Sequence, residues 1–243
     1  YVVTLTGGIC TVSDTATITY ISCSACTPPA PTGSVSNVNC NGGTDGGIDV
    51  SVTGGTPPYT YNWSHGDTTQ DLSGISAGPF SLTLTDNTGC DTIVSYTVTE
   101  PSALSASVTI DADASCNGGS DGGATANGTG GTGTYTYAWS NGATTSSISG
   151  LAANTYTVTI TDANGCTQSN SGTVTEPSAM TASVTIDADA SCNGGSDGGA
   201  TANGTGGTGA YTYAWSNGGA TQSITGLAAN TYTVTITDAN GCT

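Results

Sequence analysis

The chain predicts an all-β fold: tandem immunoglobulin-like (fibronectin III- or PKD-like) β-sandwich domains, each with a disulfide. Three observations carry this. Cys40, Cys116 and Cys192 stand 76 residues apart, as do Cys90, Cys166 and Cys242, and a fixed period of this size marks an array of small domains. Within each period, apolar and polar residues alternate over short runs, the pattern of half-buried strands. Turn residues break the runs at short intervals, and no stretch keeps a helical period.

Residues 1–22 alternate as two strands around Gly7 and Gly8 and match the end of a repeat, so they read as the last strands of a preceding domain. Residues 23–33, with three prolines and no periodicity, predict a linker. Repeat one follows over residues 34–101. Ile48, Val50 and Val52 share one face of its first strand, and Tyr59, Tyr61 and Trp63 share one face of its second. Ser64, His65 and Gly66 predict a hairpin turn, where the other repeats have Asn141-Gly142 and Asn217-Gly218, pairs suited to positive φ. Phe80, Leu82 and Leu84 point inward, and Asp86 to Gly89 form a turn into a closing strand.

Repeats two (102–177) and three (178–243) are nearly identical, and the third stops one strand short. Both are hollowed relative to the first: Ile48, Val50 and Val52 become Ala124, Ala126 and Gly128, and Val94 and Tyr96 become Asn170 and Gly172. Each lost methylene forfeits about 0.8 kcal/mol of burial, so these repeats should lean more on their crosslinks. With strands at both ends of the sequence, the chain reads as a window on a longer polypeptide.

Composition narrows the partners. The 243 residues include neither Lys nor Arg, 17 acidic residues and one His, for a formal charge of -17. Nothing is available to replace counterions on phosphate, which argues against nucleic acid, and an anionic lipid surface would repel the chain. Ion pairs are excluded on the same ground. An acid–base pair would have to be built from carboxylates alone, and the aspartates recur identically in every repeat, so no enzyme is expected. Nine cysteines at recurring places predict disulfides and an oxidising compartment outside the cytoplasm.

The candidate bridges lie within repeats: Cys40–Cys90, Cys116–Cys166 and Cys192–Cys242, with Cys23–Cys26 as a fourth. Closing a loop of 50 residues would stabilise a domain by about 4 kcal/mol in the chain-entropy picture. The competing arrangement joins neighbours, Cys90 to Cys116 and Cys166 to Cys192. The aromatic face formed by Tyr59, Tyr61 and Trp63, by Tyr135, Tyr137 and Trp139, and by Tyr211, Tyr213 and Trp215 is expected to be core, with a carbohydrate platform as the other reading. No cofactor is required. Calcium is the candidate metal, held at the joints by Glu100, Asp111, Asp113, Glu176, Asp187 and Asp189, because carboxylates on both sides of a linker can converge oxygens on one ion.

The Cys-Asn-Gly-Gly runs from Cys40, Cys116 and Cys192, the Tyr-Thr-Tyr-x-Trp-Ser runs ending at Ser64, Ser140 and Ser216, and the Gly-Cys turns at Cys90, Cys166 and Cys242 together resemble the SprB-type repeat. That repeat occurs in giant surface adhesins of gliding Bacteroidota. The resemblance implies a long cell-surface filament anchored at the outer membrane, exported by the type IX secretion system and moved by the gliding machinery. An extracellular surface or polysaccharide would be bound by parts outside this chain. Asp-Thr pairs at Thr15, Thr68 and Thr92 also resemble the acceptor of Bacteroidota O-glycosylation. The expected function is a stalk or spacer for surface attachment. The alternatives are a self-assembling fibre subunit, completed when residues 11–20 of a neighbour donate a strand, and a carbohydrate-binding module.

Overall fold

A computed structural model describes residues 26–243. The strands read into residues 1–22, together with Cys23 and Thr15, lie outside the described residues. Among those described, every regular element is a strand. The described residues divide into two compact units, one ending at Pro101 and the other running from Ser102 to Thr243.

The first unit contains repeat one. Its strands are β1 (Ala30–Ser36), β2 (Gly46–Thr53), β3 (Thr60–Trp63), β4 (Leu72–Ile75), β5 (Gly78–Thr85) and β6 (Asp91–Val98). They form two antiparallel sheets, β1-β2-β4 and β3-β5-β6, which face each other across one core. Residues 30–33, read from the sequence as linker, are the first half of β1: Pro31 and Gly33 hide its alternation. Pro31 is tolerated because β1 is an edge strand. The turn after Trp63 is not a hairpin, since β3 pairs with β5 and β4 lies in the opposite sheet. Gly66 sits at φ 103° there, and its N–H donates to the carbonyl of Trp63 at 2.9 Å, so the chain reverses where a side chain would be strained.

The second unit contains repeats two and three. Repeat two consists of β7 (Ser105–Ala112), β8 (Gly122–Thr129), β9 (Thr136–Trp139), β10 (Ser147–Leu151), β11 (Asn154–Thr161) and β12 (Thr167–Val174), in sheets β10-β8-β7 and β12-β11-β9. Asp111, placed at a joint on sequence grounds, is in fact part of β7. Repeat three repeats the plan with β13 (Thr181–Ala188), β14 (Gly198–Thr205), β15 (Thr212–Trp215), β16 (Ser223–Leu227) and β17 (Val234–Thr237). In repeat two, β12 packs over β7 and leaves Val108 and Ile110 part-buried. Their counterparts on β13, Val184 and Ile186, are exposed.

Trp63, Trp139 and Trp215 are each at most 4% exposed and anchor the three cores. Each indole N–H donates at 2.9 Å to the carbonyl six residues on, at Thr69, Thr145 and Thr221. A buried indole therefore keeps its partner while its rings fill the sandwich.

The hollowing is partly compensated. By strand register Gly33 corresponds to Val108, since they face the equivalent residues Val50 and Ala126. In repeat one the Tyr96 ring on β6 fills the space over Gly33; a Cβ at Gly33 would meet it at 2.6 Å. In repeat two the bulk moves to the other sheet, and Val108 and Ile110 crowd over Gly172 at 2.7 and 2.8 Å from where a Cβ would stand. Tyr96 to Gly172 and Gly33 to Val108 are thus one exchange of large for small across the core. Ala124 and Ala126, both essentially inaccessible, remain small.

Candidate functional site

The feature most directly tied to an extended array is the joint between repeats two and three. Its lower half is the turn that presents Cys242. Asp238, 5% exposed, takes the N–H groups of Asn240 and Cys242 on Oδ1, both at 2.9 Å, and that of Thr208 on Oδ2 at 2.7 Å. Burial pushes its carboxyl pKa upward, but these backbone donors outweigh burial and hold it below the usual range. Asp162 does the same in repeat two, binding the N–H groups of Thr132, Asn164 and Cys166. In repeat one the hydroxyl of Thr88 adds a bond of 2.7 Å to Asp86. That hydroxyl is the main reason the Asp86 pKa falls to about 2.

The upper half is the loop bearing Cys116. The N–H of Ser115 donates to Asp121 Oδ1 at 2.9 Å, and hydrogen bonding from Ser115 lowers the Asp121 pKa. The carboxylate of Glu176 accepts the Asn117 side-chain amide at 3.0 Å and the Gly118 N–H at 2.7 Å. Asn117 also binds the carbonyl of Pro177. The peptide leading into repeat three is therefore fastened to the same loop that carries Cys116.

Cys116 and Cys242 are joined by a disulfide, with Cα atoms 5.7 Å apart. Beside it, the Asn240 side-chain amide donates to the carbonyl of Ser115 at 3.0 Å. In the first unit Cys90 is bonded to Cys26. Cys40 and Cys166 are disulfide-bonded as well, while Cys192 is a free, exposed thiol.

This connectivity corrects the sequence expectation of Cys40–Cys90, Cys116–Cys166, Cys192–Cys242 and Cys23–Cys26. The two cysteines of one repeat lie at opposite ends of its sandwich. Cys166 immediately precedes β12, whereas the Cys116 loop is tied beyond its far end, Ala114 N–H to Thr175 carbonyl at 2.9 Å. Eight strand residues span about 26 Å, and a disulfide tolerates a Cα separation of only about 4.4–6.8 Å. The neighbour pairing of Cys166 with Cys192 fails for the same reason. The stacking of repeats two and three, in contrast, brings the opening cysteine of one, Cys116, against the closing cysteine of the other, Cys242.

The remaining candidates are dispersed. Glu100 accepts the Gly42 N–H, and Glu176 holds the Cys116 loop. Asp113 accepts the Thr175 N–H, while Asp111 and Asp187 accept the hydroxyls of Thr125 and Thr201. Asp189 is exposed. Among the described residues no three His, Cys, Asp or Glu side chains come together as a metal site. The single imidazole, His65, makes a hydrogen bond of 2.8 Å between its Nε2 and Asp67 Oδ2. The tryptophans are too buried for a sugar to stack on. The tyrosines Tyr59, Tyr61, Tyr135, Tyr137, Tyr211 and Tyr213 are half-buried against the cores. Thr68 is exposed, but the Thr92 hydroxyl is spent on the carbonyl of Pro29 at 2.7 Å.

Fold and joint define the class: tandem immunoglobulin-like β-sandwiches, of which repeats two and three are clasped by a disulfide. The family model of the SprB repeat matches three segments of the chain, residues 32–68, 108–144 and 183–220. These repeats mark it as a repeat-containing surface protein. No curated protein matches it. Among solved structures it is similar to "Sidekick-1 immunoglobulin domains 1-5", at 10% identity over 88% of this chain and 56% of that one, TM-score 0.33. It is also similar to "Structure of surface layer protein SbsC, domains 4-9", at 15% identity over 83% and 38%, TM-score 0.26. A third is "Biofilm associated protein - BSP domain", at 14% identity over 59% and 29%, TM-score 0.20. The chain spans less than two thirds of each of these three.

Proposed function

We infer that the chain is a length of stalk in a long extracellular adhesin, a spacer that holds a binding part away from the cell and bears tension. The observation that carries this is the end-to-end clasp of repeats two and three by Cys116–Cys242, which suits a part built for length. Disulfides suit an oxidising exterior, and a surface without Lys or Arg resists collapse onto itself or onto anionic neighbours. The SprB match supports surface attachment, export by the type IX route, anchoring at the outer membrane and a part in gliding.

Two measurements test the reading. Antibody against the repeats should label intact, unpermeabilised cells, and negative-stain micrographs of the native protein should show threads. Label only after lysis, or compact particles, would overturn it.

A further inference from the structure

We propose that the Cys116–Cys242 disulfide is a strap that carries tension past the folded cores, so that an oxidised array cannot lengthen by unfolding. The inference rests on the stalk reading and adds how the stalk resists load.

Force travels along covalent bonds. A pull entering the second unit at Ser102 runs up β7, which crosses repeat two from one end to the other. Four residues after that strand ends it meets Cys116, and the disulfide delivers it to Cys242 on the near end of repeat three. The shortest covalent route thus crosses repeat two along one strand and omits everything from β8 to β17. The omitted segment contains the Trp139 and Trp215 cores. While the bridge is intact, the pull passes through repeat two along β7 alone, and neither its other strands nor the Trp215 core lies on the loaded route, however weak their packing.

Two features fit such a duty. The turn and loop that present the sulfurs are both fixed by buried or bonded carboxylates: Asp238 on one side, Asp121 and Glu176 on the other. The crosslink is also placed where an array needs it. Its separation of 126 residues is one 76-residue period plus the 50-residue spacing inside a repeat. A bond inside one repeat would protect that repeat and leave each joint as a single peptide strand.

The small cores of repeats two and three then have a rationale. A domain spared from load needs only enough stability to keep its cysteines positioned, and Ala124, Ala126, Ala200 and Ala202 meet that lower demand.

The test is single-molecule extension of the full chain, with one handle on a bio-orthogonal residue replacing Ser102 and the other at the C-terminus. Oxidised protein should release only the short stretch outside the bridge. After reduction by a dithiol, or in the double variant Cys116→Ser/Cys242→Ser, contour length should grow by about 440 Å, for 126 residues at about 3.5 Å each. Full release from the oxidised wild type would overturn the strap. A variant that fails to fold still reports its full contour, so the comparison stays readable. Compact particles in micrographs would sink the stalk without touching this result.

Discussion

Gly172 lies directly under the side chain of Val108, which would stand 2.7 Å from a Cβ placed there. The glycine is a fitted partner, the small half of an exchange whose large half in repeat one is Tyr96 over Gly33.

The exchange can be measured. Gly33→Val in repeat one should clash with Tyr96 and destabilise by about 1–3 kcal/mol, as overpacking does. Adding Tyr96→Gly should recover part of that loss instead of compounding it. Denaturant melts of the four members of the cycle give the coupling; simple additivity would show that the two sites do not share a space.

Each tryptophan centres its own sandwich. Trp139→Ala should cost about 3–5 kcal/mol, the range for deleting a large buried aromatic. Thermal melting followed by near-ultraviolet circular dichroism would register it, and a change under 1 kcal/mol would mean that the ring is peripheral.

Acid should loosen the first unit through Asp86. Its folded pKa of about 2 lies below the ordinary aspartate value of 3.8, so its ionised form is favoured by folding. That contribution is complete above pH 3.8 and is lost as pH falls towards 2. Asp86→Asn should lower the melting midpoint at pH 6 and flatten its decline between pH 4 and 2. An unchanged acid limb in the variant would assign the acid response elsewhere.

Thiol chemistry should read the connectivity directly. Under native, non-reducing conditions maleimide should label Cys192 and spare Cys26, Cys40, Cys90, Cys116, Cys166 and Cys242. Proteolytic peptides should be found linked as Cys26 with Cys90 and Cys116 with Cys242. A linked pair of Cys116 and Cys166 would contradict the structure.

Most strands were legible because alternation is local: Ile48 and Val50, or Leu82 and Leu84, announce a buried face within a few residues. The aromatic face was legible for the same reason. β1 was not, because Pro31 and Gly33 break its pattern and its apolar partner, Tyr96, comes from the far end of the repeat. The bridges were illegible for a different reason. Spacing along the chain counts residues, whereas bonding depends on which end of a sandwich a residue occupies, and Cys116 and Cys166 fall at opposite ends. The fixed period did contain a clue: a cysteine without reach inside its own repeat finds an equivalent one period on.

Repeats two and three are held together at two places, the peptide through Glu176 and Pro177 and the sulfur bridge beside it. A body fixed at two points can hinge about the line between them but cannot swivel freely. Twist applied at one end of such a pair is therefore handed on to the other, as along a chain of rigid links and not a string of beads.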